Sequence, residues 1–431
     1  MSTLTDRLRS IVRAPGLSDP GLRALPGPTG LPVRPDVESV LGGEWRQIAG
    51  ASCFVVERWH EPAMAYGGER LERMAASLAE SSAEAVMVGS GIPARPPFVF
   101  FDLETTGLSG GAGTFAFLVG CGWFDDDAGF VTRQFVLARI ADERALLVGV
   151  AAELGRAGAL VSFNGKSFDA PVLEMRYLFH RLDWIVGRLP HLDVLHPARR
   201  FWSGCGGAGT DCSLIALERR VLGLCRIDDV PGFEIPSRYF QFLRLGDARP
   251  LVGVLEHNRL DLLSLAGITA RLLHLVRVGP SKAANAREAL ALGRTYARVG
   301  LESRAIDAYR AALARGASTI LRIDVLRSLA LMLRRSRRFE EASACWRQLL
   351  DVPGCPTDVV REANESLAIH NEHRVRDLDL ARTFALRNLD EGRHSPWNQA
   401  VQHRLARIER KIGKRDSRPK LQGTVDLRLE T

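Results

Sequence analysis

Asp102 and Glu104 stand two residues apart in the segment Asp102-Leu103-Glu104-Thr105-Thr106-Gly107-Leu108, directly after the apolar run Phe98-Val99-Phe100-Phe101. On a strand, side chains at i and i+2 point to the same side. The spacing therefore presents two carboxylates together at a strand end. Two like charges that close are costly unless cations lie between them, and hard oxygen donors suit Mg²⁺ or Mn²⁺. A second acid, Asp169, closes the segment Asn164-Gly165-Lys166-Ser167-Phe168-Asp169 at a strand-to-helix turn. A third segment, Glu256-His257-Asn258-Arg259-Leu260-Asp261, opens an apolar helix. Helix spacing puts His257 and Asp261 on one face. Four carboxylates from separated segments plus a histidine are the inventory of a two-metal phosphodiesterase. The unperturbed pKa of histidine, ~6.5, suits a general base. The alternative for His257 is to hold a phosphate or to orient a carboxylate.

Around these residues lie weaker candidates. Lys166 is the only lysine before Lys282, and a compact ammonium there would suit a phosphate. Asn164 and Thr105 are candidate substrate contacts. Asp193 ends a strand-like segment and is expected either to support a metal ligand or an arginine, or to cap a helix. The glycine loop at 109–114 offers backbone amides to a nucleic-acid strand or is a plain hairpin. Cys205, Cys212 and Cys225 near His191 and His196 lack zinc-site spacing.

The elements that must position these groups read as α/β. Strand-like segments at 98–104, 115–124, 131–138 and 159–165 alternate with helical patterns at about 141–157 and 168–182, Asp142 being the expected cap of the first helix. Before them, residues 1–35 form a Pro/Gly-rich flexible leader, 36–97 a small lead-in packing on the next domain, and 89–97 a linker. The nuclease-like α/β domain is expected over 98–280. Residues 281–410 are Ala- and Leu-rich and self-similar: Leu292-Gly293-x2-Tyr296 with Ala305-x3-Tyr309, then Leu329-Ala330-x2-Leu333 with Ala342-x3-Trp346, then Leu367-Ala368 with Ala381-x3-Ala385. This is the tetratricopeptide pattern of small residues at helix crossings. Residues 411–431 are expected to be a disordered basic tail.

Composition sets the outer limits. Hydrophobic residues at 46% and charged residues at 25% are globular values. No run of ~20 apolar residues suggests a membrane span, so no membrane partner is expected. The first residues lack the order of a signal peptide, and the seven cysteines form no CxxC pair, so a cytoplasmic, reducing setting is expected. Residues 281–431 carry about +10 and residues 1–280 about −2, which together make the +8 of the chain. A basic half beside a near-neutral one points to nucleic acid as partner.

The three acidic segments, in this order, resemble the motifs of the DEDD exonucleases, which have a ribonuclease H-like fold. Residues 109–120, 193–202, 231–240 and 256–265, followed by the repeats, are similar to a narrower bacterial group, the YprB-like proteins. The resemblance implies a ribonuclease H-like mixed sheet flanked by helices, then an all-α tetratricopeptide-like domain. It also implies a 3′–5′ exonuclease acting on single-stranded DNA or RNA, with Asp102, Glu104, Asp169 and Asp261 holding two Mg²⁺ or Mn²⁺ ions. In the histidine branch of that superfamily the histidine lies five residues before the last aspartate; in the tyrosine branch a tyrosine lies four before it. Here His257 lies four before Asp261, the residue type of one branch at the position of the other. The competing readings are a structure-selective endonuclease, or a repeat scaffold or nucleic-acid binder on a weakly active nuclease fold whose repeats capture a protein.

Overall fold

The computed structural model describes residues 37–89, 93–107, 113–203, 211–389 and 396–416. The leader, residues 109–112 of the glycine loop and Cys205 lie outside them. A short helix α1 (Val37–Leu41) leads to β1 (Glu44–Ile48) and β2 (Ala51–His60), a hairpin of β3 (Ala65–Tyr66) and β4 (Glu69–Arg70), then α2 (Leu71–Glu80) and α3 (Ala85–Val88). Next come β5 (Phe98–Thr105), β6 (Ala116–Phe124), β7 (Phe130–Val136), α4 (Glu143–Leu154), β8 (Ala159–Ser162), α5 (Asp169–Phe179), β9 (His191–Asp193) and α6 (Leu195–Trp202). Helix α7 (Leu214–Leu217) runs into a π-helical turn at Glu218–Leu222, followed by α8 (Ile235–Leu245) and the long α9 (Arg249–Val278).

Seven strands form one mixed sheet in the order β1-β2-β7-β6-β5-β8-β9. The first four pairings are antiparallel, and β5-β8 and β8-β9 are parallel. Residues 36–97, expected beside the sheet as a lead-in, supply two of its strands. β2 runs along β7 from Phe54 opposite Val136 to His60 opposite Phe130. The buried run Cys53-Phe54-Val55-Val56 is apolar on both sides, as an interior strand must be. Asp142 stands at the N-cap position of α4, but its side chain makes no cap bond; its carboxylate accepts from Arg139 Nε at 2.6 Å.

Alternation along β5 positions the first two acids. Phe98 and Phe100 enter one core cluster, and Val99, Phe101 and Leu103 the other. Asp102 and Glu104 continue the Phe98–Phe100 side. Opposite Asp102, β6 carries Gly120. A Cβ at that position would fall 2.2 Å from Asn258 Oδ1, so glycine is what lets α9 lie directly on the sheet beneath the acids.

The C-terminal region is all helical: α10 (Ala286–Arg298), α11 (Glu302–Ala314), α12 (Thr319–Arg335), α13 (Phe339–Leu350), α14 (Thr357–His370) with a π-helical turn at Asn371–Val375, α15 (Leu378–Leu386) and α16 (Pro396–Asp416). Each packs on the next. Ala305, Ala330, Ala342, Ala368 and Ala381 are buried, and a Cβ on Gly293 would meet the Tyr309 ring at 2.4 Å. The tail expected to be disordered is helical as far as Asp416. Arg407 and Lys411, one turn apart, both bond buried Glu372 at 2.7 Å. Residues 417–431 lie outside the described residues. One core cluster runs through both regions, from Phe100 and Phe201 through Leu292 to Ile408. Among the described residues no helix is long and apolar enough to cross a membrane.

Candidate active site

Three elements converge on one pocket of charge. β5 brings Asp102 and Glu104, the first turn of α5 brings Asp169, and α9 brings His257 and Asp261. Their carboxyl groups act on one another. Asp102 is held well above the ordinary carboxylate range by burial and then by the charges of Asp261, Glu104 and Asp169, with Asn258 opposing. Burial lifts Glu104 as well, followed by Asp261, Asp169 and Asp229. Asp169 is pushed up to about 7 by burial and by Asp193 and Asp261. Asp261 is raised by burial, against the cationic pull of Arg226 and His257.

Asp102 is fixed from below. Asn258 Nδ2 donates to Asp102 Oδ2 at 2.9 Å. The Asn258 Oδ1 in turn accepts from Gln134 Nε2 at 3.0 Å, which also donates to the Leu255 carbonyl at 2.7 Å. Because the oxygen of the amide is committed to Gln134, its NH₂ must face the carboxylate.

Asp169 is reached through a tight turn. Asn164 takes φ +67°. A Cβ at Gly165 would lie 2.4 Å from Ser162 Oγ and 3.0 Å from Asp169 Oδ2, so only glycine allows this approach. Asp193 ties the turn down, accepting from the backbone amides of Asn164 (2.8 Å), Lys166 (3.1 Å) and Leu195 (3.1 Å). It thus holds the turn that leads to Asp169, and its partners are backbone amides rather than an arginine. Asn164 and Lys166 are exposed. Burial and the Lys166 charge hold His191 down at about 4, so it is a neutral partner for Ser162 Oγ at 2.7 Å. Thr105 is buried and its hydroxyl donates to the Gly107 carbonyl at 3.0 Å, so it is spent on its own turn.

The histidine has a partner that no spacing predicts. His257 Nδ1 lies 2.8 Å from Asp229 Oδ1. Burial opposes ionisation of Asp229, but the His257 hydrogen bond and the charges of His257 and Arg226 outweigh it and hold its carboxyl below the ordinary range. An ionised carboxylate only accepts, so Nδ1 donates to Asp229 and Nε2 is the nitrogen left to face the acids. Nε2 points toward Asp261 Oδ2 at 3.5 Å, as the i, i+4 spacing predicts. Arg226, itself buried, links this group together: it bonds Asp229 Oδ2 at 3.1 Å, Glu218 through Nε and Nη2, and Asp261 through Nη2. Glu218 sits in the π-helical turn, 1% exposed.

The donor chemistry fits a hard divalent cation: four carboxylates, Asp169 buried and the other three half-buried, all with raised proton affinity. Among the described residues no three His, Cys, Asp or Glu side chains are already drawn into a metal-holding group. Asp261 Oδ1 is bonded by Arg226 Nη2.

A family model of the RNase_H superfamily (RNase_H_2) matches residues 99–273, the span that contains all of these groups. The chain is also 30% identical over 324 residues to the uncharacterized protein YprB of Bacillus subtilis (strain 168), covering 72% of this chain and 74% of that protein.

Proposed function

The chain belongs to the family of YprB, with a ribonuclease H superfamily domain that points to a nuclease hydrolase, and from that premise we propose a metal-dependent 3′–5′ exonuclease acting on single-stranded DNA or RNA. The observation that carries this reading is the convergence of Asp102, Glu104, Asp169 and Asp261 around a histidine held by its own carboxylate. In this reading those four acids hold two Mg²⁺ or Mn²⁺ ions. Bound there, the ions supply charge neutralisation at the phosphate and a more acidic water.

His257 Nε2 accepts the proton of the attacking water while Asp229 keeps Nδ1–H in place and stabilises the imidazolium that forms. The water oxygen bonds to phosphorus as the bond to the 3′-oxygen breaks. Asn258 holds Asp102 in one orientation, so that its outer oxygen stays available. Asn164 and Lys166, exposed beside Asp169, contact the incoming strand. The helical half is read as tetratricopeptide-like repeats that add a binding surface for the nucleic acid or for a protein, and its buried small residues at helix crossings support that reading. The cysteines among the described residues are unpaired, which suits a cytoplasmic setting.

The test is hydrolysis of a 5′-labelled single strand with Mn²⁺ or Mg²⁺. A ladder shortening from the 3′ end is expected, stopped by chelator and by Asp102→Ala. Cleavage that survives Asp102→Ala would overturn the site. Cutting of a circular single strand would replace exonuclease by endonuclease.

A further inference from the structure

In the helical half a cavity of about 290 Å³ opens where α12 ends against α13 and α14. That is near the small end of ligand sites, roughly 300–1,000 Å³. Its floor is aromatic, from Phe339 and Trp346 of α13. Its rim carries Arg334 from α12, and His370, His373 and Arg374 from the end of α14. None of its lining residues is acidic. Of the acids close by, Glu340 acts on His370. Glu372 is buried and committed to Arg407 and Lys411, with His373 3.5 Å away.

The π-helical turn at Asn371–Val375 creates this rim. A π turn adds a residue to the helix and is found often at functional sites. Here it carries Arg374 over α13, with its guanidinium 4.0 Å from the centre of the Phe339 ring. Beside the cavity Arg334, Arg335 and Arg337 are exposed. Arg338, by contrast, is paired with Glu341 at 2.6 Å. An aromatic floor with cations and no acid on the walls is complementary to a base joined to phosphate.

We propose that this cavity takes one nucleotide of a single-stranded nucleic acid, its base against the aromatic floor of Phe339 and Trp346 and its phosphates on Arg334 and Arg374. The identity of the polymer rests on the nuclease reading above. The charge distribution favours it: residues 98–280 carry about −1 and the catalytic site is itself acidic, whereas residues 281–431 carry about +10. An acidic peptide would satisfy the arginines but would leave the aromatic floor unused.

Binding is measured without hydrolysis, by anisotropy of labelled 20-residue oligo-dT and oligo-rU on the full chain in chelator, across a salt series. Arg374→Gln should weaken both and flatten the log–log salt slope by about 0.7 per phosphate lost. Phe339→Leu keeps the apolar bulk and loses the stacking face. It should weaken binding by at least about fivefold, the low end for one stacked base, with the slope unchanged. Should Phe339→Leu melt early, the exposed Arg374→Gln carries the test. Unchanged affinity and slope in Arg374→Gln would overturn the proposal, and so would polyglutamate displacing the strand as well as unlabelled oligonucleotide does. The Mn²⁺ hydrolysis assay on the unaltered chain is separate. Cleavage with no effect of the cavity variants removes this site alone. Variant-sensitive binding without cleavage removes the nuclease reading and leaves the site.

Discussion

Asp229 is not one of the four acids that converge with His257, yet its hydrogen bond decides which imidazole nitrogen is basic. If it acts only through His257, its loss and the loss of His257 are not additive. His257→Ala should lower turnover ~10²–10⁴-fold, the range for a lost general base. Asp229→Asn should lower turnover less and leave KM unchanged, and the double variant should be no slower than His257→Ala. Additive losses would show that Asp229 works on something else. Asp169 gives a second prediction at this scale. Its carboxyl stands at about 7 in the folded chain against ~3.9 unfolded. A raised folded value means stability that is fully present below pH ~4 and is lost as pH rises to about 7. In chelator, Asp169→Asn should therefore raise the melting temperature at pH 8 and leave it unchanged at pH 4. An equal rise at both pH values would point to packing instead. The acids and His257 were legible because each sits in a short motif. Asp229 and Arg226 were not: Asp229 lies 28 residues from His257 and Arg226 lies 35 from Asp261, and only the chain's return brings them together.

Helix α9 is the element that assembles the site, since it carries Asp261, His257 and Asn258 against β5 and β6. Its approach depends on Gly120. Gly120→Ala places a methyl against the Asn258 amide. Overpacking of this kind costs roughly 1–3 kcal/mol. The expected result is a lower melting temperature together with weaker Mn²⁺ binding by calorimetry, because the bond that orients Asp102 is disturbed. Normal Mn²⁺ affinity in a destabilised Gly120→Ala would separate packing from the site. At this scale the central strands and the two helices around Asp169 were legible from alternation and period. β2 was undervalued because a run buried on both sides lacks alternation, and β1 because it is a short, polar edge strand. The last helix was misread because its basic residues look solvated until Glu372 is seen beneath them.

Across the whole molecule, composition marks a change near residue 280, but the core does not break there. Trp202, ending α6 of the sheet region, donates through Nε1 to Glu288 of α10 at 2.9 Å. The other Glu288 oxygen accepts from the Ala284 amide at 2.7 Å. A buried joint of this kind predicts that the two regions unfold together. Trp202→Phe leaves a buried carboxylate oxygen without its donor, which costs about 1–3 kcal/mol. Calorimetry of Trp202→Phe should show one transition moved to lower temperature. Two separated transitions in the unaltered chain would show that the shared core is not cooperative.

The sheet ends on β1 and β9, and neither invites a further strand. β9 is three residues long before the chain turns into α6. β1 is five residues long and carries Arg46, bonded to Glu44 at 2.6 Å and to Glu57 at 3.2 Å. A long apolar margin would template a second copy and seed fibrils, and charge and brevity prevent this. A seven-strand sheet can therefore be concentrated, or emerge from synthesis beside its own kind, without polymerising through its edges.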